Sequence, residues 1–410
     1  MSSLSKNWHS LKIDEICHTT SGGTPTRSRL DYYNGSIPWL KSGELNDNPN
    51  ISRSKEYISE KGLNNSNAKL FNEGTLLLAM YGATVGKAGI LSFKASTNQA
   101  ICAMVFSRNV FNKFLFWFFI FYRDELIKKS FGGAQPNLSQ TIIRKIQIPL
   151  PFKNNKPDLK EQKRIADKID KLFTEIDKGI EKTKMALANT EKLFKSELKN
   201  LIGKKAIKVD EKKLLNFIEI SNGNSFKSVK YKKSGIPLVR IGNINNKQVN
   251  LVDCKFLPNF YKDKYKDFVI KNGDLLIALS GATTGKIGWY KNKEWALLNQ
   301  RAGNIKIIRK NLNKNFIYYY FLSDYCQEQI IELSKGAAQP NLTATMTKQM
   351  KIKIPLKDDE IDCKEQEKIV GKLDVVYEQL KNLQKKYEKQ LKNFEMLKQS
   401  ILNQAFQGKL

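Results

Sequence analysis

Two histidines, His9 and His18, are all that the 410 residues contain, so a histidine-built metal site is excluded. The five cysteines (Cys17, Cys102, Cys254, Cys326 and Cys363) are scattered, odd in number and form no CxxC pair. That argues against a zinc ribbon and fits a reducing, cytoplasmic setting. Acidic residues are scarce: 40 Asp and Glu face 70 Lys and Arg, a net charge of +30. A lysine-rich composition inflates such a number by itself, but an excess this large points to a polyanion. The N-terminus has no basic start followed by an apolar core, so no secretory signal is expected. The most apolar run, Phe114 to Tyr122, falls well short of the ~20 residues a membrane helix needs. Its counterpart, Phe316 to Leu322, is diluted by three tyrosines. Both are expected as buried helices, and no membrane role is expected.

Proline is missing from two long stretches, Asp158 to Lys204 and Asp362 to the C-terminus. In the first, apolar residues recur at Ile165, Ile169, Leu172, Ile176, Leu187, Phe194, Leu198 and Leu201. In the second they recur at Ile369, Leu373, Val376, Leu380, Leu383, Tyr387, Phe394, Leu397 and Ile401. Alternating steps of three and four make a narrow seam on one face of a helix, the pattern of a coiled coil. Each helix would span roughly 60 Å at 1.5 Å per residue. Gly179 and Thr183 interrupt the first seam.

The two stretches belong to a larger repeat. Glu161-Gln162 returns as Glu365-Gln366, and Ala134-Gln-Pro-Asn-Leu138 as Ala338-Gln-Pro-Asn-Leu342, at one common offset. Gly82-Ala-Thr-Val-Gly-Lys87 returns as Gly281-Ala-Thr-Thr-Gly-Lys286 at a slightly shorter one, as do Ile37-Pro38 and Ile236-Pro237. Asn98-Gln99 is echoed by Asn299-Gln300, and Ile146-Gln-Ile-Pro149 by Ile352-Lys-Ile-Pro355. The chain is one unit written twice. The expected class is α+β: a strand-rich module over 1–157, a long helix over 158–204, a second module over 205–361 and a second helix over 362–410. The runs Thr75 to Met80 and Asp274 to Leu279 read as fully buried strands.

The Gly82–Lys87 loop has three residues between its glycines where a P-loop has four, and Ala88 stands where Ser or Thr is required. It reads as a tight turn presenting a lysine. No Asn/Asp-Pro-Pro-aromatic motif is present; Asn48-Pro-Asn50 lacks the second proline and the ring. The carboxylates of the modules are dispersed. No catalytic residue and no metal ligand is assigned.

In order and content, the doubled Ala-Gln-Pro-Asn-Leu, Ile-x-Ile-Pro and Lys-Glu-Gln before a long helix resemble the specificity subunit of type I restriction–modification enzymes. The resemblance covers essentially the whole chain. It implies two similar target recognition domains, each reading one half of a split site in double-stranded DNA. It implies two long helices packed antiparallel as spacer and docking surface, with a pseudo-two-fold relating the halves. The implied partners are two modification (methyltransferase) subunits and restriction subunits. S-adenosylmethionine, ATP and magnesium belong to those subunits, none to this chain. Two other classes compete: a stand-alone DNA methyltransferase or nuclease with an unrecognised site, and a structural coiled-coil protein.

Two modules that read different half-sites cannot discriminate bases with residues they share. The shared lysines Lys87 and Lys286 are therefore expected on phosphates, and Gln135, Asn137, Gln339 and Asn341 in structural caps. Base reading is expected where the halves differ: Arg27, Arg29, Lys41 and Glu44 in the first module, and Lys227, Lys230, Arg240 and Asn243 in the second. Apolar residues off the seams, Phe173, Leu193, Leu391 and Met396, are expected to meet partner subunits. The helices as spacers give a first prediction. Four residues inserted after Lys182 add about 6 Å, or roughly two base pairs. Sequencing of methylated sites should show a longer spacer between unchanged half-sites; altered half-sites with the old spacer would contradict it.

Overall fold

The computed structural model describes residues 7–106, 109–130, 137–203, 209–245, 248–334, 340–358 and 360–410. The chain divides into two compact units, Met1–Thr183 with Lys389–Leu410, and Lys184–Glu388. The division falls inside the long helices, Leu159–Gly203 and Cys363–Phe406, so each unit holds one module and a half of each helix. The modules and helices are thus not separate bodies, as the sequence boundaries suggested; the helix halves are part of each core.

In the first unit a five-stranded sheet has the order Cys17–Ser21, Ile101–Phe106, Leu76–Ala79, Ala88–Leu91, Asn48–Ile51. A four-stranded sheet (Glu56–Ile58, Tyr33–Leu40, Ala95–Thr97, Leu70–Phe71) and a three-stranded one (Trp8–Lys12, Gln147–Lys153, Lys156–Pro157) accompany it. The second unit repeats all three orders, adding one short strand, Ile244–Asn245, beyond Gln248–Val249. The apolar run at Leu76–Ala79 is a central strand buried on both faces. Leu76 and Leu78 face one apolar cluster while Leu77 and Ala79 face another, as a period of two requires. Leu275 and Ile277 against Leu276 and Ala278 do the same in the second unit.

The aromatic runs are helices, Asn112–Phe121 and Lys314–Leu322, buried along most of their length. Each lies against a long helix through one polar bond set among rings. Trp117 Nε1 donates to Asp170 at 2.7 Å, and the Tyr319 hydroxyl donates to Asp374 at 2.5 Å. Trp117 also packs edge-on against Phe173, ring centroids 4.7 Å apart.

The Glu-Gln pair explains how the long helices start. Asp158 accepts from the backbone N–H of Lys160 and Glu161 at 3.0 and 3.1 Å, and Asp362 from that of Glu365 at 3.0 Å, as N-cap residues do. The next turn places Gln162 and Gln366 wholly inside. Gln162 Oε1 accepts from Phe111 N at 2.9 Å and its amide donates to Asn109 O at 3.4 Å. Gln366 makes the same pair with Asn313 N and Asn311 O, at 2.9 and 3.4 Å. One buried amide thus ties each long helix to the entry of its aromatic helix.

Within the first unit the helix halves run antiparallel. Lys168 reaches Leu410 O at 3.1 Å, Asp177 pairs with Lys398 at 2.6 Å, and Gly179 faces Phe394. A Cβ on Gly179 would lie 2.8 Å from the Phe394 ring, so this glycine admits the facing helix. The second unit has the same sense, with Thr190 accepting from Gln384 at 3.1 Å and Phe194 against Tyr377. The seam departs from expectation at Leu397, which is exposed; Ile401 is buried as the seam requires, and Leu402, Ala405 and Phe406, outside it, are buried too. The helix there turns its apolar face to the module, with Phe406 among Phe114, Phe118 and Phe121.

Replacing either buried glutamine should expose the value of the clamp. Gln162→Ala or Gln366→Ala strands a buried backbone N–H, at about 1–3 kcal/mol each. In urea unfolding, the midpoint of the unit that carries the change should drop by a similar amount in the two variants. An unchanged midpoint would mean that the glutamine is not holding the helices together.

Candidate nucleic-acid interface

The Gly82–Lys87 loop closes the hairpin between Leu76–Ala79 and Ala88–Leu91. Gly82 and Gly86 have φ of 69° and 79°, and Gly281 and Gly285 have 77° and 82°, a left-handed backbone that favours glycine. Arg123 locks the first loop, donating to Gly86 O at 3.2 Å and pairing with Asp47 at 2.5 Å. In the second unit Gln327 takes its place, donating to Gly285 O at 3.3 Å. The backbone of each lysine is fixed: Ala79 N donates to Lys87 O at 2.9 Å and Ala278 N to Lys286 O at 2.8 Å. Lys87 is half-buried and Lys286 exposed, and among the described residues neither has a carboxylate partner. The arrangement is a rigid loop carrying an uncommitted ammonium.

The Gln-Pro-Asn-Leu motif is structural where it is described. Asn137 and Asn341 form β-bridges to Tyr81 and Ser280. Leu138 N donates to Met80 O at 2.9 Å and Leu342 N to Leu279 O at 2.7 Å, with both leucines wholly buried. The glutamines Gln135 and Gln339 lie outside the described residues.

The residues that differ between the modules sort into two groups. Arg27 lies over the rings of Tyr33 and Trp39, at 4.7 and 4.9 Å, and donates to Glu56 at 2.9 Å. Lys41 pairs with the other oxygen of Glu56. The Lys41 ammonium first, and Arg27 after it, hold the Glu56 carboxyl below its ordinary range. Arg29 makes a two-bond fork with Asp31, both at 3.0 Å. In the second module Lys227 and Lys230 are exposed on the turn Ser228–Lys230. Arg240 is half-buried, with a buried Nε that has no partner among the described residues.

Glu44 and Asn243 are not free readers. Glu44 accepts from Lys41 N at 2.9 Å and Lys55 N at 2.8 Å. Asn243 accepts from Arg240 N at 2.9 Å and donates to Asn250 O at 3.0 Å. Both close the short turns that follow Lys41 and Arg240, work that side-chain type alone does not reveal.

Of the four residues expected to meet partners, Phe173 is a correction. It is only 8% exposed, inside the core of the first unit against Trp117, because the helix buries a second face on its module. Leu193 and Met396 are exposed at 52% and 70%, and Leu391 is half-buried. Sequence reasoning missed an aromatic and basic surface of the second module: Phe260 is exposed, and Lys262 lies 3.8 Å over the half-exposed Trp295 ring. The density of aromatics between Phe260 and Phe268 was the available signal.

Among the described residues no three His, Cys, Asp or Glu side chains gather as a metal site, and no helix is long and apolar enough to cross a membrane. Burial pushes the thiols of Cys17 and Cys102 up to about 12, so neither supplies a thiolate near neutrality.

The family described as the type I restriction modification DNA specificity domain matches this chain twice, at residues 5–184 and 207–393. The MjaVIII type I restriction enzyme specificity subunit of Methanocaldococcus jannaschii is 27% identical over 99% of this chain and 93% of its own. The EcoBI specificity subunit of Escherichia coli is 23% identical over 100% and 87%. Among solved structures, a chain described under complex assembly and conformational transition of the type I R-M system aligns over 100% of both chains, with a TM-score of 0.79 and 19% identity. The HsdS subunit from Thermoanaerobacter tengcongensis aligns over 100% of both with a TM-score of 0.59 and 19% identity. At such identities the structural matches show the fold.

The sorting of shared from differing residues is open to a direct test by titration of duplex DNA at several salt concentrations. Lys87→Ala and Lys286→Ala should each weaken binding to all sequences alike and lower the salt slope by about one. Arg27→Ala or Arg240→Ala should relax one base position in one half-site, at about 1–3 kcal/mol. A changed base preference in either lysine variant would overturn the sorting.

Proposed function

This chain belongs to the type I restriction–modification DNA specificity family, and we propose that it is the sequence-reading subunit of such a complex, without catalysis of its own. One observation carries the proposal. The two units repeat the same sheet orders, the same buried glutamines, Gln162 and Gln366, and the same aspartate contacts, Asp170 and Asp374, while their surface loops differ. One scaffold used twice with unlike loops suits a bipartite site whose halves have unlike sequences. The charge of +30 suits the DNA backbone on both.

In this reading each module contacts one half-site, its shared loop lysines on phosphates and its differing cations on base edges. The exposed apolar residues Leu193 and Met396 are offered to modification subunits, which supply S-adenosylmethionine. Restriction subunits supply the ATP- and magnesium-dependent steps. The complex acts where chromosomal DNA is, in the cytoplasm. The buried, protonated thiols and dispersed carboxylates give no support to a self-contained methyltransferase or nuclease.

The test is reconstitution. The purified chain with labelled S-adenosylmethionine and DNA should transfer no methyl group and bind DNA weakly. Adding modification subunits should bring tight binding and methylation at a split site. Methyl transfer by the chain alone would refute the proposal.

A further inference from the structure

In the second module the chain from Lys255 to Phe268 holds a phenylalanine out in solvent on a pile of rings. Phe260 is 63% exposed, although folding ordinarily hides this residue. Its ring meets Tyr261 with centroids 4.8 Å apart, and Tyr261 meets Tyr265 at 5.1 Å. Tyr265 in turn stands edge-on to the buried Phe226 at 5.1 Å. The backbone beneath is pinned as well. Tyr261 N donates to Pro258 O at 2.9 Å, Lys262 N to Asn259 O at 3.1 Å and Tyr265 N to Tyr261 O at 2.9 Å. The exposed ring is rigidly backed.

Its surroundings are basic. The Lys262 ammonium lies 3.8 Å over the half-exposed Trp295 ring, a contact that fixes where the charge sits. From Lys255 to Phe268 there are four lysines and two aspartates. Phe226 and Tyr231, which bracket the turn bearing Lys227 and Lys230, belong to the same apolar cluster as Tyr261 and Tyr265. The ring therefore shares its surface with that cationic turn.

The first module has no counterpart. Ile58 pairs with Ile37 as Leu257 pairs with Ile236, so the segments after Ile58 and Leu257 correspond. After Ile58 comes Ser59, whose hydroxyl caps a short helix by accepting from Gly62 N at 3.1 Å, and no aromatic residue occurs from Ser59 to Leu70. Ala95 pairs with Phe71 as Ala296 pairs with Ile270, which puts Lys94 where the second module has Trp295.

A surface present in one module suits one half-site. The lysines attract the DNA backbone, but an aromatic ring finds its partner only in bases. Two base contacts are open to phenylalanine. A thymine methyl needs no more than an apolar patch beside it. A side chain that enters the base stack must resist being pushed back, and a ring backed by three others is built for that. Such wedges enter where stacking yields most easily, at TA and CA/TG steps. We propose that Phe260 is a wedge that opens one pyrimidine–purine step of the half-site read by the second module, while Lys262, braced on Trp295, holds the adjoining phosphate. The proposal rests on the DNA-reading role above and adds how one half-site is read: by the ease with which a step opens, besides its base edges.

The experiment uses the chain assembled with its modification subunits. Selection from randomised duplexes gives the consensus, and titrations at several salt concentrations give affinity and salt slope. Duplexes carrying 2-aminopurine at each step in turn report unstacking as a rise in fluorescence. The wild-type complex should brighten the probe at one pyrimidine–purine step of one half-site. Phe260→Ala should abolish that rise, weaken binding about tenfold and relax the consensus at that step alone. Phe260→Leu, still an apolar wedge, should keep most of the rise. Lys262→Ala should leave the consensus intact and lower the salt slope by about one. If every rise persists in Phe260→Ala, the unstacking is base flipping by the methyltransferase and the proposal fails. If uracil in place of thymine in that half-site weakens wild-type binding as much as Phe260→Ala does, the ring touches a methyl group and the proposal fails too. Unchanged DNA affinity in Phe260→Ala overturns it, as does loss of assembly with the modification subunits, which would make the ring a protein contact. A wild-type complex that selects no bipartite consensus would instead overturn the DNA-reading role itself.

Discussion

The buried amide of Gln162, and its twin Gln366, is the contact on which each unit depends. A primary amide in a dry interior is costly unless both of its ends are bonded. Here one end accepts the first free N–H of the aromatic helix entry and the other donates to a carbonyl two residues earlier. The long helix cannot slide or rotate without breaking both bonds inside the core. Register is therefore specified at the first turn, and the apolar contacts farther along need only be the right size. Asp170 and Asp374 repeat the device two turns on, each meeting a ring donor that would otherwise be buried unpaired.

A scaffold pinned this way leaves its loops free to change. Asp47 and Arg123 brace the first glycine loop by charge, whereas Gln327 braces the second with a neutral amide. The turn after Lys41 is closed by a carboxylate, and the turn after Arg240 by an amide. In each pair the bonded backbone atom is equivalent and the side-chain chemistry differs. The fold requires a donor or an acceptor at a place, not a particular residue.

Much of this was legible in the sequence because it was written twice. The shared glycines, Glu-Gln pairs and Asn-Leu steps predicted the common skeleton, and the continuous apolar run from Thr75 to Met80 predicted a buried strand. Tertiary contact hid the rest. Asp170 and Asp374 look like ordinary charges on a solvated helix, since nothing local reveals a tryptophan or a tyrosine across from them. Phe173 and Leu397 were misplaced for one reason: a seam read from a single helix counts one partner, and these helices have two, the facing helix and the module. Glu44 looked like a reader because a turn cap and a free carboxylate share a sequence.

The differing cations also divide by rigidity. Exposed ion pairs such as Arg27 with Glu56 contribute little to stability, about 0–1 kcal/mol. Their effect is orientation: a guanidinium laid on Tyr33 and Trp39 and tied to Glu56 has lost most of its freedom before any ligand arrives. Binding then spends less entropy, and a planar fork in a fixed direction favours bidentate recognition of one base edge. Lys227 and Lys230 are point charges on an exposed turn, without such a brace. They suit attraction to phosphates more than choice among bases. The better-held cations of the second module are the half-buried Arg240 and Lys262, which lies over the Trp295 ring.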